Sequence, residues 1–391
     1  MKPPEPAHGV APTRRPGAPP ARGGVSAALP VFPWDTLAGP AAVARAHPDG
    51  IVDLSVGTPV DPVAPVIREA LAAAGGAPGY PTTAGTPALR EAAVAALARR
   101  YGVRGVSADA VLPVIGTKEL IAWLPTLLGL GRGDAVVVPE LAYPTYEVGA
   151  RLAGAQVLLA DSTTQLGPQR PALIYLNSPS NPTGRVLGAD HLRKVVGWAR
   201  ERGALVASDE CYLGLGWDVA PVSLLDPAVC DGDHTGLLAI HSLSKSSSMA
   251  GYRAGFVAGD PDVVAELLAV RRHAGMMVPT PVQSAMVAAL SDDSHEREQR
   301  DRYLRRRDTL LPAVRKAGLT VDHSEAGLYL WATRDEPCRD TVVWFAQRGI
   351  LVAPGEFYGP RGARHVRIAL TATDERIAAA VSRLTVQPAP R

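Results

Sequence analysis

Ser242-Leu-Ser-Lys245, followed by Gly251-Tyr-Arg253-Ala-Gly255, sets an amine nucleophile and a fixed cation beside small hydroxyl residues and glycines, with apolar runs on either side. A lysine in such a setting can form an imine with an aldehyde. Ser242, Ser244 and Arg253 can hold a phosphate group on the same molecule. The segment therefore reads as an anchor for an aldehyde-bearing phosphate. One Ser-Lys pair is weak by itself, because most lysines are solvated surface residues. The other groups that imine chemistry needs must lie elsewhere in the chain.

Those groups need a scaffold. Short apolar runs recur at Val111–Ile115, Ala135–Val138, Gln156–Leu159, Ala172–Leu176, Ala204–Ala207, Leu237–Ile240 and Gly255–Ala258. Helix-like stretches such as Lys118–Leu128 and His191–Arg202 separate most of them. Continuous apolar strands alternating with helices predict an α/β fold with a mainly parallel, seven-stranded sheet covered on both faces. In such sheets ligands bind beyond the carboxyl ends of the strands.

Upstream, Pro33-Trp34-Asp35 begins a short helix, Asp61-Pro62 is expected to open another ending near Gly75-Gly76, and Thr86-Pro87 caps a third that runs to Gly102. From about Pro281 the pattern changes to a long helical region, Gln283 to Gly318, interrupted at Ser291–His295. Shorter strands follow at Gly327–Trp331, Ile350–Ala353 and His365–Leu370. The expected division is a Pro-rich disordered tail over 1–24 and a segment over 25–50 that joins the small domain. A large cofactor-binding domain over 51–282 and a small α+β domain over 283–391 complete it.

Two of the apolar runs end on chemistry. After Ala172–Leu176 comes Asn177-Ser-Pro-Ser-Asn181-Pro182-Thr183-Gly184, which a turn alone would also explain. After Ala204–Ala207 comes Ser208-Asp209-Glu210-Cys211-Tyr212. Asp209 follows a buried strand, where an unpaired carboxylate is costly, so a buried cationic partner is attractive. The protonated nitrogen of a pyridine ring is such a partner.

Composition narrows the classes. The chain has 391 residues, 47 % of them hydrophobic, and a formal net charge of +2. That balance gives no bulk pull toward nucleic acid or an anionic membrane, and no apolar run is long enough to span a bilayer. Cys211, Cys230 and Cys338 are few, odd in number and widely spaced, which suits reduced thiols in a cytoplasm and not a disulfide framework or a structural zinc site; no metal is expected. The run Arg302 to Arg307 reads as the solvated face of a helix.

The ordered set Gly116-Thr117-Lys118, Tyr143-Pro144, Asn181-Pro182-Thr183-Gly184, Asp209-Glu210-Cys211-Tyr212, Ser242-Leu-Ser-Lys245 and Gly251-Tyr-Arg253-Ala-Gly255 resembles the class I/II pyridoxal-phosphate aminotransferases, of fold type I. The likeness extends to Gly327-Leu-Tyr-Leu-Trp331 and Arg367-Ile-Ala-Leu and covers roughly Leu29 to Leu384. It implies pyridoxal 5′-phosphate as cofactor. Lys245 would form the imine link and later move the substrate's Cα proton. Asp209 would keep the ring nitrogen protonated, Asn181 and Tyr212 would bond the phenolic oxygen, and Tyr143 would stack on the ring. The phosphate would sit on the backbone N–H groups after Gly116, those of Thr117 and Lys118, with Ser242, Ser244 and Arg253. Tyr80, in Gly79-Tyr80-Pro81, matches a tyrosine that reaches the neighbouring subunit's phosphate, which implies a homodimer with shared sites. Arg367 would bind the substrate α-carboxylate, aided by the Gly57 backbone.

A narrower resemblance lies in Leu29-Pro-Val-Phe-Pro-Trp34-Asp35-Thr-Leu, Asp53-Leu-Ser-Val-Gly57-Thr58-Pro59 and Val114-Ile-Gly-Thr-Lys-Glu-Leu-Ile-Ala-Trp123. These segments are similar to the N-succinyldiaminopimelate aminotransferases of actinobacteria. They imply amino transfer between glutamate and N-succinyl-2-amino-6-oxopimelate, in lysine and diaminopimelate biosynthesis. Arg271 and Arg272 are candidates for the distal carboxylates, and Trp34 for closing over the long arm or for core packing. A broader-specificity aminotransferase and a C–S lyase would use the same residues. Ser242-x-x-Lys245 also matches the serine acyl enzymes, but the Lys-Thr-Gly triplet they need is missing.

Overall fold

The computed structural model describes Ser26, Leu29, Pro30 and residues 32–385; the tail expected over 1–24 lies outside the described residues. After a short first strand, β1 (Val52–Asp53), seven strands form at the seven apolar runs. They are β2 (Val111–Ile115), β3 (Ala135–Val138), β4 (Gln156–Leu159), β5 (Leu173–Asn177), β6 (Leu205–Asp209), β7 (Leu237–Ser242) and β8 (Ala254–Gly259). Their order in the sheet is β2-β8-β7-β6-β5-β3-β4. Every pairing is parallel except those of β8, which runs antiparallel to β2 and β7.

Alternation along the central strands splits the core into two apolar layers. Ile174, Val206 and Ala239 face the helices Pro87–Tyr101, Ala189–Arg200 and Thr280–Ser291. Leu173, Ala207 and Ile240 face Thr117–Leu127, Thr145–Ala153 and Pro261–Ala274. With both faces covered, polar side chains on these strands collect at the carboxyl ends: Asn177, Asp209 and Ser242 are the last residues of β5, β6 and β7.

The C-terminal part adds β9 (Thr320–Asp322), β10 (Tyr329–Thr333), β11 (Ile350–Leu351), β12 (Ala353–Pro354) and β13 (His365–Ala369). Four of them make an antiparallel sheet in the order β12-β13-β10-β9, while β11 pairs in parallel with β1. Their core holds Trp331, Phe345 and Ile368, together with Leu37 from the N-terminal segment. The helix Ala38–Arg45 packs on Cys338–Ala346. No helix among the described residues is long and apolar enough to cross a membrane.

Local signals hold where the chain's own chemistry decides. Thr86 caps Pro87–Tyr101, its hydroxyl accepting from Leu89 N–H at 3.2 Å, and Gly102 ends the helix in the left-handed region. Three expectations need correction. The helix expected at Asp61-Pro62 begins at Pro65, because the Asp61 carboxylate is taken by the Arg306 fork at 2.6 and 2.8 Å and by Gln299 at 2.8 Å. The boundary expected at 282/283 falls inside the helix Thr280–Ser291, whose Ala285, Met286 and Ala289 cover the large sheet. The basic run is not wholly a solvated face: Arg306 and Arg307 are buried, Arg306 on Asp61 and Asp374, Arg307 on Asp218 and the Ser324 carbonyl.

Candidate active site

A cavity of about 430 Å³ opens where β5, β6 and β7 end, roofed by residues from β10 and β13 and by Phe32 and Trp34. Of the residues singled out from sequence, Lys245, Asp209, Tyr212, Thr117, Lys118, Tyr143, Asn181, Ser242, Ser244, Arg253, Gly57, Arg367 and Trp34 line it. Gly116 lies beneath the wall, and Tyr80, 98 % exposed, stands apart from it.

One end of the cavity is built for an anion. Gly116 (φ 75°) precedes the helix Thr117–Leu127, whose first N–H groups have no intrahelical acceptor. The Arg253 guanidinium lies so close that a Cβ on Gly116 would sit 2.1 Å from its Nη2. Glycine is therefore needed twice there, for the turn and for the cation. Ser242 and Ser244 add hydroxyls, with Ser242 Oγ accepting from Ser244 N–H at 3.1 Å. A helix start, a guanidinium and two hydroxyls fit a phosphate dianion.

At the centre, Lys245 belongs to the short helix Leu243–Ser246, and its Nζ donates to the Gly57 carbonyl. Burial lowers its pKa to about 8, with Arg367 and Arg253 pushing the same way against Cys211. Asp209 is buried and accepts from Tyr146 Oη at 2.8 Å and from Cys211 N–H at 3.2 Å. Burial raises its pKa, and those two donors partly oppose the rise. Both donors are neutral, and among the described residues no cation pairs with Asp209. A ligand carrying a buried positive charge would supply the missing partner.

Arg367 presents the complementary case. Its side chain is 2 % exposed, donating from Nη1 to Asn181 Oδ1 at 2.9 Å and from Nη2 to the Ser55 carbonyl at 2.7 Å. Nε has no partner, and the guanidinium lies 4.0 Å from the Tyr329 ring centroid. Tyr329 crowds Gly57 so closely that a Cβ there would fall 2.2 Å from the phenol oxygen. A buried guanidinium that meets only neutral acceptors is a seat for a carboxylate.

Two residues escaped the sequence reading. Tyr146, which fixes Asp209, looks like a core position because it sits three residues after Tyr143 in an apolar helix turn. Tyr329 bonds Tyr212 at 3.1 Å and stacks beside Arg367, contacts that the motif Gly327–Trp331 does not reveal. Arg271 is corrected: it is fully buried and forks onto Glu119 at 2.9 and 3.1 Å, so it cannot serve the cavity mouth. The cation that does stand there is Lys118, whose Nζ lies 5.5 Å from the Tyr143 ring and 5.8 Å from Phe32. Trp34 lines the cavity, and its ring packs 5.4 Å from Phe357.

Comparison with known proteins agrees with this geometry. The family model described as aminotransferase class I and II matches residues 49–384. A probable aminotransferase of Mycobacterium tuberculosis is 79 % identical, over 94 % of this chain and 88 % of its own length. A 4-dedimethylamino-4-oxo-anhydrotetracycline transaminase of Streptomyces rimosus is 61 % identical, over 91 % of this chain and 99 % of its own. Among solved structures, an aminotransferase of Neisseria meningitidis superposes with a TM-score of 0.83 at 31 % identity, covering 93 % of this chain and 98 % of that one.

Proposed function

From the premise that this chain belongs to the class I and II aminotransferases, enzymes that depend on pyridoxal 5′-phosphate, we propose that it moves an amino group between glutamate and a keto acid bearing a distal carboxylate. N-Succinyl-2-amino-6-oxopimelate is the acceptor that fits best, which would place the enzyme in diaminopimelate and lysine biosynthesis. The carrying observation is that, besides Arg253 at the phosphate end, two cations line the cavity with no acid partner among the described residues, Arg367 buried in the roof and Lys118 at the mouth. One suits the α-carboxylate, the other the far end of the substrate.

Bound there, the cofactor supplies an electron-poor ring that takes up the electron pair left when a Cα–H bond breaks. The chain's residues do the rest. Lys245 would hold the cofactor covalently at rest, and its amine, depressed to about 8, can then accept and return the Cα proton near neutral pH. Asp209 would keep the ring nitrogen protonated, with Tyr146 and Cys211 N–H fixing the carboxylate. Asn181 spends its carbonyl oxygen on Arg367, so its amide N–H is free to donate to the phenolic oxygen beside Tyr212. Tyr143 would stack on the ring. The N–H groups of Thr117 and Lys118, with Ser242, Ser244 and Arg253, would carry the phosphate.

Tyr80 has no work in its own cavity and is almost fully exposed; a homodimer in which Tyr80 of the partner subunit reaches the phosphate gives it one. The free thiols of Cys211, Cys230 and Cys338 suit a reducing cytoplasm.

Replacing Arg367 with alanine is expected to lower kcat/KM for glutamate about 10²–10³-fold, mainly through KM; an unchanged KM takes Arg367 out of the substrate site. An acceptor panel tests the substrate. With glutamate as donor, N-succinyl-2-amino-6-oxopimelate should outrun pyruvate, and Lys118→Ala should narrow that preference about fivefold. Release of ammonia or thiol without amino transfer would identify a lyase. A second reading, transfer to a ketone on a polycyclic skeleton, is favoured by the 61 % identity to the anhydrotetracycline enzyme. A panel in which such ketones alone turn over would select it.

A further inference from the structure

A second cavity, of about 170 Å³, lies at the carboxyl ends of β3 and β5. It is on the sheet face that carries Ile174 and Leu176, whereas Ile121 and Tyr146 line the active cavity from the opposite face. The two cavities share Asn177 and are divided by the 177–184 loop. The space suits a molecule of roughly ten heavy atoms.

The floor is apolar and the rim carries two guanidiniums and one carboxylate. Ile174 and Leu176 lie below; Arg185, His191 and Arg361 stand around one acid, Asp161. Arg361 is already spent on Glu140 and Asp161. Burial and the nearby Arg185 lower the pKa of His191, so its ring is neutral at pH 7. Among the described residues no acid pairs with Arg185, and its side chain takes part in no hydrogen bond. Arg185 stands at the solvent edge of the rim, and a guanidinium without an acid partner beside an apolar floor favours a single negative charge on a greasy body.

We propose that this cavity is a second ligand site, taking a small monocarboxylate with an apolar body, and that its occupancy is coupled to binding of the substrate carboxylate. The coupling element is the 177–184 loop. Ser180 and Thr183 form part of this cavity's wall, while Asn181 between them accepts from Arg367 in the other cavity. A ligand that presses on one side of the loop moves the group that orients Arg367 on the other. Binding at Arg185 stands on the cavity alone; the coupling rests on the roles proposed above for Asn181 and Arg367.

The probe is 4-fluorophenylacetate, followed by fluorine NMR on holoenzyme carrying Arg367→Ala, in which the substrate clamp is gone. Saturable binding of one probe per chain is expected to persist there, and to weaken at least tenfold when Arg185→Glu or the rim-filling Thr163→Trp is added. Loss of binding with Arg367→Ala alone, or binding indifferent to both rim changes, overturns the site. In the otherwise native holoenzyme the probe should change the KM for glutamate to a plateau, an effect absent in Arg185→Glu, whose KM without probe is unaltered. A KM that climbs without a plateau is competition at Arg367, and together with an unmoved KM it is the result that overturns the coupling.

Discussion

Lys245→Ala should fold, take up pyridoxal phosphate without a covalent bond, and transaminate about 10⁴-fold more slowly or worse. The size follows from two losses at one atom. The amine that captures the cofactor and the base that carries the Cα proton are the same Nζ, and no other lysine lines the inner wall; Lys118 stands at the mouth. The fold should tolerate the change. Lys245 gives up its bond to the Gly57 carbonyl, but the cost of burying an ammonium, visible in its depressed pKa, disappears with it. Thermal midpoint and turnover should therefore part company. Added methylamine should restore a small fraction of activity, which a variant damaged only in its fold would not show.

Asp209→Asn is expected to keep the fold and lower kcat about 10²–10³-fold. The carboxyl group is buried between two neutral donors and burial raises its pKa, so its charged form is costly without a cationic partner. That charge becomes useful when a protonated ring nitrogen arrives. An asparagine can still meet Tyr146 and Cys211, yet supplies no charge to hold the proton. The measurable signature is a protein that binds cofactor and amino acid but exchanges the Cα hydrogen with solvent far more slowly. Undiminished exchange would remove Asp209 from the chemistry.

What could be read from the chain alone follows the range of the forces involved. The seven strands were legible because each is a continuous apolar run, and burial on both faces demands such a run. Asp209 was legible because it ends a covered strand, where a carboxylate needs a partner, and Ser242–Lys245 because of its own residue types, whereas the role of Asn181 rested on the family resemblance. Long-range charge pairs were not. Arg306 meets Asp61 across 245 positions and Arg271 meets Glu119 across 152, and nothing local separates a buried fork from a solvated one. Tyr146 was hidden for the opposite reason: its ring packs like any core aromatic, and only its hydroxyl reaches Asp209. The helix Thr280–Ser291 straddles the expected boundary because the change to a long helical pattern near Pro281 marks no change of layer: the helix still covers the large sheet.

The most direct test is borohydride reduction of the cofactor-loaded protein followed by peptide mapping. The phosphopyridoxyl label should fall on Lys245 alone. Covalent capture by the apoprotein should speed up as pH rises toward about 8 and level off above it, where the amine is already neutral. A label on another lysine, or no label on a protein that still transaminates, would contradict the account.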